Sequence, residues 1–326
     1  MSESGHKAGY GVPSVTSGEN VTTVHTDPAA IDDMEVAANR DHSGFDADGS
    51  VSGFRSARTL PLRVELIRQL RRRRTQLLLG FLVLLPFILW AAFEFGTSAN
   101  NRRSGGFVDL ATASAPNFVV FVLFAAGSFL LPMIVALFFG DTVASEASWS
   151  SLKYLLAMPV PRGRLLRQKA TASGLLSLFA LVLLPVVALL VGLLFYGSGE
   201  AVSPTGDAIT FSDSLLAMVF SVVYISVNLL WVAGLAMFLS VATDAPLGAV
   251  GGTVLVAILS QILDQITALG TLRDYLPTHF AFAWSDLIST DIDWSNMTRG
   301  AFSAVTYAAI FGLLAARRFR TKDVTS

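Results

Sequence analysis

The side chains able to do chemistry are few. The four histidines are His6, His25, His42 and His279, and none sits in the His-Glu-x-x-His spacing that holds zinc on one helix face. Cysteine is absent, which removes thiolate metal sites, disulfide frameworks and cysteine nucleophiles together. No Gly-Lys-Ser/Thr run occurs, so there is no phosphate loop and the chain is expected to hydrolyse no ATP alone. A Gly-x-Ser-x-Gly elbow is missing too. These residues point to a non-enzyme holding no metal or cofactor of its own. Asp264 is nearly alone as an ionisable group inside an apolar stretch, where such groups are costly and so candidate functional groups. Ser260, Gln261 and Gln265 share its helical face. Counted from Leu247, Asp264 lies roughly 25 Å along a helix rising 1.5 Å per residue, near the far end of its span. Gln261, Asp264 and Gln265 can then line an exit path or form an interhelical polar cluster. A proton or sodium relay would need several such groups at mid-depth.

The elements that must position these groups are apolar helices. Of 326 residues, 53% are hydrophobic and 14% charged, with a mean hydropathy of +0.59. A water-soluble domain with that balance would expose large apolar patches. The pattern predicts an all-α polytopic membrane protein with six spans, over about 77–95, 118–139, 172–196, 215–242, 247–269 and 301–316, each suited to a hydrocarbon core of about 30 Å. Pro86, Pro132 and Pro185 fall within the first three, where kinks are expected. Gly248 and Gly252 make a small-xxx-small spacing for helix packing. Residues 270–299 read either as a helical hairpin dipping into the outer leaflet or as a loop with interfacial aromatics.

Seventeen Lys and Arg residues fall before the first span, between spans two and three, or after span six, against four in the opposite loops. Both termini are therefore expected to be cytoplasmic in a multi-pass protein. Residues 1–54 carry nine acids against Lys7 and Arg40 and read as a disordered acidic tail rather than a signal peptide. Over residues 55–76, Leu62, Leu66 and Leu70 recur every four residues beside Arg63, Arg68 and Arg71 to Arg74. That spacing predicts a basic amphipathic helix on anionic lipid. A net charge of −1, with no basic stretch interleaved with stacking aromatics, sets nucleic acid aside.

Between spans two and three lies the longest internal connection on the basic side. Trp149, Leu152 and Leu156 make an apolar stripe with Leu155 at its edge, and Pro159 stops the helix. The stripe fits either a membrane surface or a partner. This segment resembles the coupling region of the ABC-2 family of ABC-transporter permeases, in Glu146, Leu152, Leu155, Leu156, Pro159, Arg162 and Lys169. It departs where Ser150 and Ser151 replace the usual Gly-Thr and Pro161 the usual Ser. The resemblance extends from about Leu60 to Asp323 in element order. It implies a permease subunit of an exporter in a prokaryotic plasma membrane, paired with a second permease copy. The Glu146 to Ala157 helix would couple to a separate ABC-type ATPase that holds ATP and Mg. An ion-coupled secondary transporter, an intramembrane enzyme and a membrane anchor or immunity-type protein stay open as other readings. The substrate is not legible.

Overall fold

The computed structural model describes residues 62–96, 107–148, 162–202, 206, 208–289 and 292–321. The acidic stretch 1–54, the beginning of the basic helix, and Trp149, Leu152, Leu155, Leu156 and Pro159 lie outside the described residues. The helices are α1 Leu62–Leu70, α2 Arg73–Gly96, α3 Phe107–Ala111, α4 Ala115–Gly127, α5 Leu130–Ser148, α6 Arg162–Phe195, α7 Phe211–Asn228, α8 Leu230–Ala242, α9 Pro246–Asp264 and α10 Trp294–Thr321. A two-residue hairpin, β1 Ala201–Val202 with β2 Ala208–Ile209, follows α6. Two 3-10 segments, Thr267–Tyr275 and Ala283–Ile288, follow α9.

Six segments are long and apolar enough to cross a membrane: α2, α5, α6, α7 with α8, α9, and α10. Their outer faces carry Leu77 and Leu84 on α2, Leu190 and Leu194 on α6, Val219 and Val223 on α7, and Phe302 and Leu313 on α10, all exposed. Helices satisfy their own backbone and hydrocarbon solvates such a surface, whereas water would not. The chain is an all-α polytopic membrane protein. α5 is innermost: 72% of its most apolar stretch is buried, against 11% for α2. It touches α6, α8 and α9, while α8 also touches α10, and α2 and α4 lean on α6. Small residues allow these approaches. A Cβ on Gly140 of α5 would come 2.9 Å from Val250 Cγ2 of α9, and one on Gly192 of α6 would come 2.8 Å from Ala115 Cα of α4.

The expected second span differs from the structure. Residues 118–139 straddle two helices, α4 and α5, with a break at Ser128 and Phe129. Pro132 is the cause: it has no N–H for the carbonyl four residues back, which is that of Ser128. The side-chain amide of Gln261 donates to this carbonyl, satisfying a group that proline would leave bare. Pro132 then sits in the first turn of α5, where an N–H has no intrahelical acceptor anyway. Pro86 and Pro185 lie within continuous helices. The span expected over 215–242 is likewise divided, at Leu229.

Among the described residues the connection from α9 to α10 holds no α-helix. Its short 3-10 segments fold back so that Phe280, Trp284, Leu287 and Ile288 are buried. The Trp284 ring lies 4.7 Å from that of Phe124, and the Phe282 ring stacks on Phe124 at 5.4 Å. The aromatics are used for packing on protein. α10 runs well past the expected 301–316 at both ends, because flanking Asn296, Arg299 and Arg317 to Arg320 continue the helix beyond its apolar middle.

Candidate functional site

One end of the bundle gathers α1, the last turns of α5, α8 and α10, and the first turns of α2 and α6; it is the basic end. A small apolar cluster of Val143, Leu165, Leu166, Met237, Val241, Ala315 and Phe319 closes it. Ser240 Oγ of α8 accepts from the backbone N–H groups of Val143 and Ala144 at 3.1 and 3.0 Å. Arg162 Nη1 donates to the Arg320 carbonyl at 2.9 Å, linking the start of α6 to the end of α10.

Beside this cluster lies an ionic network. Asp141, Thr142, Ser145 and Glu146 fall on one face of the final turns of α5, by the spacing of the helix. Lys169 Nζ of α6 meets Glu146 Oε1 at 2.5 Å, with both side chains 3% exposed. Arg68 Nη2 of α1 reaches the same oxygen at 2.5 Å and Glu65 at 2.8 Å. Glu65 Oε1 lies 3.6 Å from Lys169 Nζ. Gln69 Nε2 donates to Glu65 Oε1 at 3.0 Å and to Thr142 Oγ1 at 3.4 Å. A second centre forms at Asp141, which takes Arg72 Nη1 at 2.5 Å and Arg74 Nη1 at 3.0 Å. An acid near a helix C-terminus, as Glu146 is at the end of α5, opposes the helix dipole. Here Lys169 and Arg68 offset that cost. Burial pushes the Glu65 carboxyl up, but the charge of Lys169 and hydrogen bonds from Arg68 and Gln69 outweigh it and hold it at about 2.

This geometry divides the expected apolar stripe of α1 between the bundle, where Leu66 packs, and the outside, where Leu70 lies. Glu65, Leu66 and the buried Gln69 face the bundle, while Val64, Ile67 and Leu70 are exposed. The inward face is held by ions and amides beside Leu66; the outward one mixes Val64, Ile67 and Leu70 with arginines.

Glu146 is turned inward at the end of α5, so any contribution to docking is indirect. Arg162, by contrast, is exposed at the head of α6. The segment 149–161 is bracketed by Glu146 and Lys169, which close its base. Asp141, Glu65, Gln69, Thr142 and Arg72 were missed as site residues. The available signal was the pairing of acids at the end of an apolar span with a lone acid inside an arginine-rich stretch.

At the opposite end, Asp264 is the last residue of α9 and meets His279 Nδ1 at 2.5 Å and Arg273 Nε at 3.6 Å. His279 Nε2 lies 3.3 Å from Asp274 Oδ1. Ser260 and Thr278 share a hydrogen bond of 2.7 Å, and Tyr224 donates to the Phe280 carbonyl at 2.6 Å. Gln261 and Asp264 thus tie α9 to the Ser128 break and to the folded-back connection, whereas Gln265 is exposed. The interhelical reading describes Gln261 and Asp264. Of the two glycines assigned to packing, Gly252 fits, since a Cβ there would come 3.2 Å from Leu239 Cδ1 of α8. Gly248 lies exposed in the first turn of α9, where an added Cβ would meet only Ala245 and Thr243 at 3.6 and 3.8 Å. Among the described residues no second helix is packed at that point, because Gly248 adjoins the short turn from α8.

No curated protein matches the sequence. The model of one family, described as a protein of unknown function (DUF2705), matches residues 87–325. That range takes in every described helix after α2, with the Asp141, Glu146 and Lys169 side of the ionic network. The match spans most of the 326 residues, and the chain belongs to this DUF2705 family.

Proposed function

We propose that the chain is the membrane-embedded permease subunit of an ABC-2 type ABC exporter, working as a dimer and driven by separate ATPase chains that hold ATP and Mg. The observation that carries this reading is the buried Lys169–Glu146 pair at the base of segment 149–161. Energy from a partner has to enter a permease through a connection that cannot slide independently of the spans. Closing the base by a buried ion pair, and tying it through Glu65 and Arg68 to α1, makes α1, α5 and α6 move as one body at the two ends of that segment. A two-state shift of packed helices then follows ATPase approach. The basic end is cytoplasmic in this reading, both termini lie there, and the membrane is a prokaryotic plasma membrane. The exposed Val64, Ile67 and Leu70 of α1 would rest on the headgroup layer.

The test is purification of the complex in mild detergent, with Leu152→Asp and Leu156→Asp introduced together. Burying a charge in an apolar contact costs several kcal/mol on the order-of-magnitude scale for unpaired buried charges. An ABC-type ATPase should co-purify with the parent chain and be lost with the double variant, while membrane insertion persists. Full retention of ATPase binding and transport by the double variant would refute the coupling role.

A further inference from the structure

At the end of the bundle opposite the ionic network, a cavity of about 240 Å³ lies between α3, α4 and the Ala283–Ile288 segment. Three of its walls are aromatic. Phe107 and Phe121 have ring centroids 5.4 Å apart, and Phe107 and Phe124 5.8 Å apart, in tilted and edge-on arrangements. Phe121 is braced from behind by Phe93 at 4.9 Å and Phe124 by Trp284 at 4.7 Å, so the walls are held by packing before any ligand arrives.

The polar lining is unequal. The Asn117 amide is consumed by the chain itself: Nδ2 donates to the Leu110 and Val202 carbonyls at 2.9 and 3.1 Å, and Oδ1 accepts from the Val202 N–H at 2.9 Å. Asp286 also lines the cavity, and among the described residues no basic side chain pairs with its carboxylate. Burial pushes its carboxyl up, and among the described residues Asp293, of like sign, adds to this. An acid half-buried beside aromatic faces, with a like charge for its neighbour, has no cation beside it among the described residues.

We infer that this cavity binds a small organic cation, an ammonium carrying one ring or a short branched apolar group, with the charge at Asp286 and the apolar body among Phe107, Phe121 and Phe124. Aromatic faces attract such cations through their quadrupoles, most strongly where water is displaced. The volume lies below the roughly 300–1,000 Å³ of drug-sized sites, which limits the ligand to one ring. A neutral molecule of the same shape would satisfy the walls and leave Asp286 as it is. Binding to the purified chain needs neither ATPase nor transport, so the site stands or falls separately from the permease reading.

The experiment titrates the purified full-length chain in neutral detergent with benzyltrimethylammonium, and separately with benzyl alcohol, followed by saturation-transfer NMR of the ligand ring protons. Saturable binding of the cation, tighter than of the alcohol, is expected. Asp286→Asn should weaken the cation by about tenfold or more, as removal of a partly desolvated ion pair and its cation–π support implies, and should leave the alcohol unchanged. Asp286→Glu should retain cation binding, and Val120→Trp, which fills the cavity, should abolish both. Unsaturable uptake shared by all variants, equal affinity for cation and alcohol, or an Asp286→Asn chain that binds the cation as the parent does would each overturn the assignment.

Discussion

Lys169 and Glu146 stand 23 residues apart and meet at 2.5 Å across the base of the segment that separates them. Each is almost wholly withdrawn from water. Two charges taken out of water recover that cost only through each other and through further partners, here Arg68 and Glu65. Removing one leaves the other buried and bare. Lys169→Met should therefore destabilise the chain by about 3–5 kcal/mol, the scale for breaking a buried pair, and Lys169→Met with Glu146→Gln by distinctly less. Thermal unfolding in detergent, compared over the parent, both single variants and the double, measures the difference. Equal losses in Lys169→Met and the double variant would show that the pair is not coupled.

Glu65 makes the attachment of α1 sensitive to acid. Its carboxyl is held at about 2 in the folded chain against an ordinary value of 4.5. A depressed folded value means the unfolded state binds the proton first as pH falls. The contribution of Glu65 is thus complete above about 4.5 and is lost as pH drops towards about 2. Amide exchange over Leu62–Leu70, taken relative to that of the unfolded chain at the same pH, should stay slow at pH 6 and quicken across that lower window. In Glu65→Gln it should be faster at pH 6 and should vary less with acid.

Gly300 of α10 has no room for a side chain. A Cβ there would come 2.2 Å from Tyr224 Oη and 2.6 Å from Phe280 Cβ, the two groups that join α7 to the folded-back connection. Gly300→Ala should lower stability by about 1–3 kcal/mol, the usual scale of overpacking. Gly312→Ala, on the same helix with nothing within 4 Å of the added carbon, should be neutral or raise stability by up to about 1 kcal/mol from helix propensity. A thermal melt of the two variants side by side distinguishes packing from propensity.

The chain has no cysteine, so single introduced cysteines report topology without background. Lys153→Cys and Thr321→Cys should both be shielded from an impermeant maleimide in intact cells, and Thr205→Cys should react. Labelling of Lys153→Cys from outside would reverse the proposed orientation.

The residues alone determined the class of this protein, because apolar runs such as Leu77 to Phe95 have only one solvent that suits them, and helix is the backbone form that meets its own hydrogen bonds there. The same local logic placed Asp264 near a span end and Pro86 and Pro185 inside helices. Pro132 shows where it stops: the pattern reads through Ser128 and Phe129 as one span, since hydropathy carries no record of which carbonyl a proline strands or whether Gln261 is near enough to take it. The ionic network was illegible for the same reason. Glu65, Asp141, Glu146 and Lys169 are spread over a hundred residues of sequence, and each looks like an ordinary charge at a helix end. Only the tertiary structure decided that they meet, and that α1 turns Glu65 and Gln69 inward and Val64, Ile67 and Leu70 out. Partner choice among charges depends on distance in space and on the water excluded by the packed helices, and neither is a local property of the chain.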